Sequence, residues 1–389
     1  MTTIPWRTSC RNSSTTIIAA ENTVRNNAAD LICTGTDDQY LINDVIVDLP
    51  STGGRILFLD GTYNIDTLTV NDVGTQYNGI YINRYADYCS ITLEGENLPW
   101  STAYSAYAPS GGVWFKTNPS AYTGHATDVC NTIGTPYGEM PMASFPGQSV
   151  QLKNLYVTVP SQTINKSAID LEYVTGAQLD SVRAMYDGNA GAPPLGTYGI
   201  KLPWGGKIGP IVLLNCVAYG FQYGMALQGE HFIGIGCFGI ECTYPYIFNA
   251  GNGMHTNSIL NCGEQWCPNG PVFAGDNGAL IDLIGYDIEF KLAGWYSRVA
   301  GATETNPGYM GGTITYSAVK AGVGLTELPF WAPGYGHKFT TYEGLASRTG
   351  ITSNRPVNPG MLQQFYDTTL NKPIWWNGTN WVDATGTSV

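Results

Sequence analysis

The sequence predicts an all-β fold: a single-stranded parallel β-helix of stacked coils, with an N-terminal capping helix and a β-rich C-terminal module. Three observations predict it. Charged residues are only 12% of the 389, about half the usual quarter, while Gly and Pro number 48 and 22. Helical bundles need Glu and Lys on exposed faces, so this composition fits short strands and tight turns. The second observation is a set of recurring segments: Ile169-Asp170-Leu171, Ile200-Lys201-Leu202, Met225-Ala226-Leu227, Ile247-Phe248-Asn249 and Val272-Phe273-Ala274. They recur at spacings of 31, 25, 22 and 25 residues. Each alternates apolar, outward, apolar, the period of a strand. The third is a further set, Leu179-Asp180-Ser181, Leu214-Asn215-Cys216, Ile235-Gly236-Cys237 and Leu260-Asn261-Cys262. Two sets kept in register through unequal loops imply coils that stack.

From the N terminus, Asn27–Ile32 reads as a short strand. Asp37 or Asp38 then N-caps a helix over 38–49, with Leu41, Val45, Ile46 and Leu49 on one apolar face. Pro50 and Gly53-Gly54 stop it. Arg55–Leu59 follows as a strand, Asp60-Gly61 as a turn, and a new strand starts near Tyr63. This order resembles the N-terminal cap and first coil of right-handed parallel β-helix proteins of the pectin-lyase-like superfamily. The resemblance implies right-handed coils and says little about a reaction.

The expected organisation is a capping region over 1–54, the β-helix over 55–290, a distal β region over 291–348 where the register fades, and a module over 349–389. Residues 95–145, with Trp100, Tyr104, Tyr107, Trp114, Tyr122 and Tyr137, read as one long aromatic insertion. Long irregular segments in compact domains are usually functional or disordered, and aromatic density argues against disorder. With the shorter insertion 186–196 it is expected to wall a groove. The nine cysteines contain no CxxC pair, so no zinc site is expected. Cys216, Cys237 and Cys262 are expected to stack as an inert interior ladder.

At the C terminus, Asn377-Gly378 between two Trp-rich segments signals a hairpin, preceded by a strand at Phe365-Tyr366-Asp367. From Arg355 to Gly386 the chain resembles the C-terminal module of tail-fibre and tailspike-type proteins of gut-bacterial phages and prophages. That implies a virion or extracellular location, bacterial surface polysaccharide as ligand, a homotrimer, and contacts with other virion tail proteins. Trp375, Trp376 and Trp381 are too many for a free hairpin, which places trimer contacts within 345–389.

The net charge of −12 argues against nucleic acid and anionic membrane surfaces. No run of 18 apolar residues exists, so no membrane insertion is expected. Residues 1–10 lack a basic region leading into an apolar stretch, so no export signal is expected.

Glycoside hydrolysis needs two carboxylates, about 5 Å apart for retention or about 6.5–9.5 Å for inversion. Asp170 and Glu172, at i and i+2 on one strand, are expected to face outward about 6.5–7 Å apart. Glu230 and Asp276, two coils apart, form a second candidate pair, with His231 and His255 beside them and Glu264 and Trp266 on the next coil. Trp100, Tyr104, Trp114, Trp204 and Trp266 are the candidate sugar-binding aromatics. Tyr198, Tyr223 and Tyr244 or Tyr246 precede the first strand of successive coils. A lyase needs a basic residue against a uronate, commonly with calcium-binding acids. Lys201, one coil above Asp170, and Arg183 are the cations available, but no acidic calcium cluster is evident. Hydrolysis therefore ranks above elimination, and no metal or cofactor is expected. His125 and His337 read as isolated surface residues. The functional expectation is a tailspike- or tail-fibre-like protein that binds bacterial surface polysaccharide and depolymerises it. The alternatives are an adhesive appendage without catalysis and a secreted gut-bacterial hydrolase or lyase.

Overall fold

The computed structural model describes residues 15–389 except 71–75, 84–88, 98–110, 136–147, 162–163, 188–192, 203–210, 228–230, 250–255, 270, 275–278, 285, 290–311, 318–319, 322–337, 341–348 and 356–363. The chain winds as a parallel β-helix of three sheets, A, B and C. Each complete coil adds one strand to each sheet, as in Gly176–Asp180 (A), Arg183–Asp187 (B) and Tyr198–Lys201 (C). Every strand is too short to be stable alone, so its apolar residues are buried only because the coils above and below complete the core.

Helix α1 (Asp38–Asp48) caps the first coil. Its buried face is Ile42, Val45, Ile46 and Leu49, at i, i+3, i+4 and i+7. Leu41, expected on that face, is only partly buried against it. Neither aspartate caps the helix through its side chain. Asp37 takes a left-handed backbone, and Asp38 instead accepts N–H bonds from Gly35 and Asn64, tying the helix to the first coil.

The register departs from the expected one at two places. Met225 pairs with Tyr246 rather than Ile247, because Tyr246 and Phe248 fill the interior and leave Ile247 outward. Leu214 pairs with Asp180 rather than Leu179. Ser181 is therefore a turn residue, stacked with Asn154, Asn215, Gly236 and Asn261, all at positive φ. Asn and Gly tolerate that left-handed turn. The interior column beside it is Val182, Cys216, Cys237 and Cys262, all buried to 1% or less. The cysteine ladder is thus present, with a valine at its foot. The eight described cysteines are free and buried. Burial raises the Cys242 thiol to about 12.

The supposed insertion at 95–145 is not one segment. Val113–Thr117 belongs to sheet B and Val129–Gly134 to sheet C, which puts Trp114 on a regular strand of sheet B, and Tyr122 lies in the short helix between the two strands. Sheet A also continues past 290, through Gly312–Ser317 and Lys338–Thr340. The C-terminal module is a separate four-stranded sheet with its own core of Phe365, Ile374 and Trp381. Trp376 packs on that core, at 5.8 Å between its ring and that of Trp381. Of the three tryptophans, two are therefore used within the module.

Candidate functional site

Sheet C breaks the period of two at one column. Ala168 and Ile169, then Gly199 and Ile200, then Gly224 and Met225 are consecutive pairs that both face inward. The ladder skips the first residue of each pair. Two columns of residues therefore run along the coil axis, one on each side of the skipped position. On one side stand Asn78, Asn131 and Ser167, all buried, and then the partly exposed Tyr198, Tyr223 and Tyr244; on the other stand the buried Gly134, Asp170 and Ala226 and the partly exposed Lys201. A Cβ at Gly134 would lie 1.9 Å from Asn78 Oδ1, so only glycine fits there.

The three tyrosines stack as a ladder, with ring centroids 4.9 and 5.4 Å apart and planes within 23° and 16°. Such a stack presents ring edges and phenol oxygens outward, repeating at the strand spacing. Beside it, Lys201 Nζ lies 3.4 Å from Asp170 Oδ2, contacts Glu172 Oε2, and sits 5.5 Å from the Tyr198 ring centroid. Asp170 Oδ1 accepts the Glu172 backbone N–H at 3.0 Å, and Gln76 Nε2 donates to Oδ2 at 3.3 Å. The strand ends at Asp170 and Glu172 lies in the turn beyond it, so the extended i, i+2 spacing does not apply. The two oxygens facing Lys201 are closer than its two contacts laid end to end. That is below the about 6.5 Å at which the inverting range begins.

The three charges divide chemically. Burial, and then the Asp170 charge, push the Glu172 carboxyl above its ordinary value despite Lys201. Burial would lower the Lys201 ammonium, but Asp170 and Glu172 outweigh it and hold the group well above its ordinary value. Glu172 can therefore carry a proton for donation. Lys201 stays charged and cannot act as a proton-abstracting base, which disfavours elimination here.

The other candidate residues fall elsewhere. Glu230, Asp276, His255, Trp100, Tyr104 and Trp204 lie outside the described residues, as do His337, Tyr107 and Tyr137. His231 is exposed, at positive φ, just before the sheet A strand Phe232–Ile235, two coils above Asp170. Trp266 is 43% exposed on the turn from sheet B to sheet C, in a left-handed column with Gly220 and Glu241. Glu264 points into the coil, where the Tyr286 hydroxyl donates to it at 3.0 Å. Trp114 and Arg183 are on sheet B, away from the carboxylates. The Trp114 indole donates to Thr158 at 3.0 Å and its ring meets Tyr156 edge-on. His125 is not isolated: it pairs with Asp128 at 2.9 Å and its ring lies 4.0 Å from Tyr77. The carbonyls of His125 and Asp128 accept from the buried Lys166 Nζ at 2.7 and 2.6 Å. The aromatic wall of the site is thus the Tyr198–Tyr223–Tyr244 ladder. Its signal in the sequence was a tyrosine at the same place in three consecutive coils.

No family model and no curated protein sequence matches the chain. Among solved structures it is similar to tailspike protein 3 of bacteriophage CBA120, at 13% identity and a TM-score of 0.28, covering 87% of this chain. The chain spans 55% of that tailspike's length. It is similar to pectate lyase Pel9A at 13% identity and a TM-score of 0.42, covering 85% of this chain and 76% of the other. It is also similar to Escherichia coli YbhC at 11% identity and a TM-score of 0.35, covering 90% and 78%.

Proposed function

We propose that the protein binds bacterial surface polysaccharide along the outer face of sheet C and cleaves it by glycoside hydrolysis, as a tailspike- or tail-fibre-like virion protein. The observation that carries the hydrolytic reading is the convergence of Asp170 and Glu172 beside the tyrosine ladder. Glu172, whose carboxyl burial pushes above its ordinary value, donates a proton to the leaving glycosidic oxygen. Asp170 attacks the anomeric carbon to form a glycosyl ester, water activated by the now ionised Glu172 cleaves that ester, and the spacing of the two carboxyls favours retention of configuration. The tyrosine ladder offers hydrogen-bonding groups along a chain laid parallel to the coil axis. The virion assignment is supported by the resemblance of residues 355–386 to phage appendage modules, and it carries the homotrimer with it. A trimer by light scattering at micromolar concentration is expected, and a monomer contradicts that part.

A binding-only appendage is the second reading, and one observation favours it. Asp170 is 2% exposed and its oxygens already accept from Glu172, Gln76 and Lys201, the pattern of a residue that positions rather than reacts. Incubation with a panel of capsule and cell-wall glycans separates the two. Hydrolysis releases reducing ends without unsaturated products, whereas binding alone retards the protein on glycan-containing native gels and releases none.

A further inference from the structure

The outer face of sheet A changes character partway along the stack. One outward column reads Glu94, Lys153 and Asp180 in the lower coils, then Leu214, Ile235, Leu260 and Ile284 above them. The column beside it adds Val212 and Ile233 to the aliphatic run. Ile233, Ile235 and Ile284 are 46%, 40% and 37% exposed. Strands with one solvated face usually place polar side chains there, and a contiguous apolar patch marks an interaction site.

The chemistry of the patch selects its partner. A polysaccharide is held by ring stacking and hydroxyl hydrogen bonds, and these aliphatic side chains offer neither. The net charge of −12 disfavours an anionic membrane surface. That charge also makes two copies of the chain repel in general, yet the two columns are balanced. From Arg55 to Lys338 they carry Arg55, Lys153 and Lys338 against Glu94, Asp180 and Asp282, so another copy can approach this face without net repulsion. Size points the same way. A stable interface takes about 800 Å² from each partner. Four coils of stripe, at about 5 Å per coil, supply roughly a quarter of that. The remainder must come from the polar levels of the same face, so the partner has to run the length of the stack, as a second copy does. An apolar centre with a polar rim is the usual anatomy of such a contact.

We infer that the aliphatic stripe of sheet A joins copies of this chain side by side, parallel and in register, with the stripe of each copy facing the shared axis. Like levels then meet around the axis, leucine on leucine and isoleucine on isoleucine. Parallel packing sets Lys153 one strand spacing from its neighbour's Glu94 and Asp180. An antiparallel copy centred on the stripe would instead set Asp180 and Lys153 against Ser317 and Thr340. The inference rests on the homotrimer part of the proposed function and gives that assembly a surface; it does not depend on the glycan.

Light scattering at micromolar concentration tests it on the full chain, for the parent, Ile235→Asp and Leu195→Asp. Leu195 is a control, 68% exposed and outside sheet A. The parent and Leu195→Asp are expected as assemblies, and Ile235→Asp as single chains of native circular dichroism. Oxidative cross-linking reads the geometry and decides the matter if Ile235→Asp does not fold. Leu214→Cys and Ile284→Cys should each link to themselves above the parent's background, whereas antiparallel packing links them only when the two are mixed. An Ile235→Asp protein that stays trimeric overturns the inference and leaves the homotrimer standing. Linkage only in the mixture, or in neither variant, also overturns it. A parent dimer that self-links at both positions supports the stripe and removes the trimer, and a monomeric parent removes both.

Discussion

The two faces of sheet C each hold a lysine, and the difference between them separates construction from chemistry. On the inner face, Lys166 is fully buried; its ammonium bonds the His125 and Asp128 carbonyls and lies 5.3 Å from the Tyr122 ring. These partners are fixed and cannot accept a proton for keeps, so Lys166 can only pin the 118–128 segment to the coil. On the outer face, Lys201 bonds two carboxylates whose protonation can change. One lysine clasps a loop, and the other sets the charge of an outer face.

The largest expected effect tests the inner clasp. Lys166→Met takes a charged donor from the His125 and Asp128 carbonyls, leaving them the Asp128 N–H at 3.3 Å and the Cys130 thiol at 3.5 Å, so urea denaturation should show a loss of about 1–3 kcal/mol. Lys201→Met, at a partly exposed position, should lose less than half as much. Equal losses would erase the distinction between the two faces.

The outer ladder gives the next effect. Tyr223→Ala removes the central ring of the stack and should weaken binding to any glycan the parent retains by tenfold or more. The stability cost should stay near 1 kcal/mol, the worth of aromatic pairing on a face. Unchanged retention on affinity gels would move the glycan site off sheet C.

A third prediction concerns the core beneath both faces. A thiol reagent without denaturant should modify none of Cys216, Cys237 and Cys262, because all are buried and hydrogen bonds between neighbouring thiols, together with burial, raise Cys237 and Cys262. Rapid modification of all three would mean that the coils are not stacked in this register.

The smallest effect is a pH dependence. The folded value of Glu172 is raised, so the folded state holds its proton more tightly than the unfolded chain. The stability from that proton is present at acid pH, below the unfolded value of about 4.3, and is lost as pH rises through the folded value. Glu172→Gln should therefore match the parent near pH 4 and become relatively more stable towards neutrality. A variant that instead falls behind the parent as pH rises would show that Lys201 stabilises the charged form more than burial opposes it.

The stacked coils, helix α1 and the cysteine ladder were legible because short strands write their interior as a repeating apolar alternation. The errors have one source. A stack is aligned by its left-handed turns as much as by its strands, and matching Ser181 to Cys216 set a turn residue against a core residue. The skipped position of sheet C was illegible for a related reason. Two consecutive inward residues, such as Gly199 and Ile200, break the alternation that marks a strand. Asp170, Glu172 and Lys201 were named from their places in the repeat. Their convergence was not, because it depends on the strand ending at Asp170 and on a side chain reaching across from the next coil. Trp114 misled because it sits on a regular strand of sheet B, paired with Tyr156, away from the carboxylates.

The most direct test of the hydrolytic site is product analysis on the glycan panel with the parent, Asp170→Asn and Glu172→Gln side by side. The account predicts new reducing ends of retained configuration from the parent, no unsaturated ends, and loss of release in both variants, each still folded by circular dichroism. Unsaturated products from the parent, or undiminished release by folded Asp170→Asn and Glu172→Gln proteins, would contradict it.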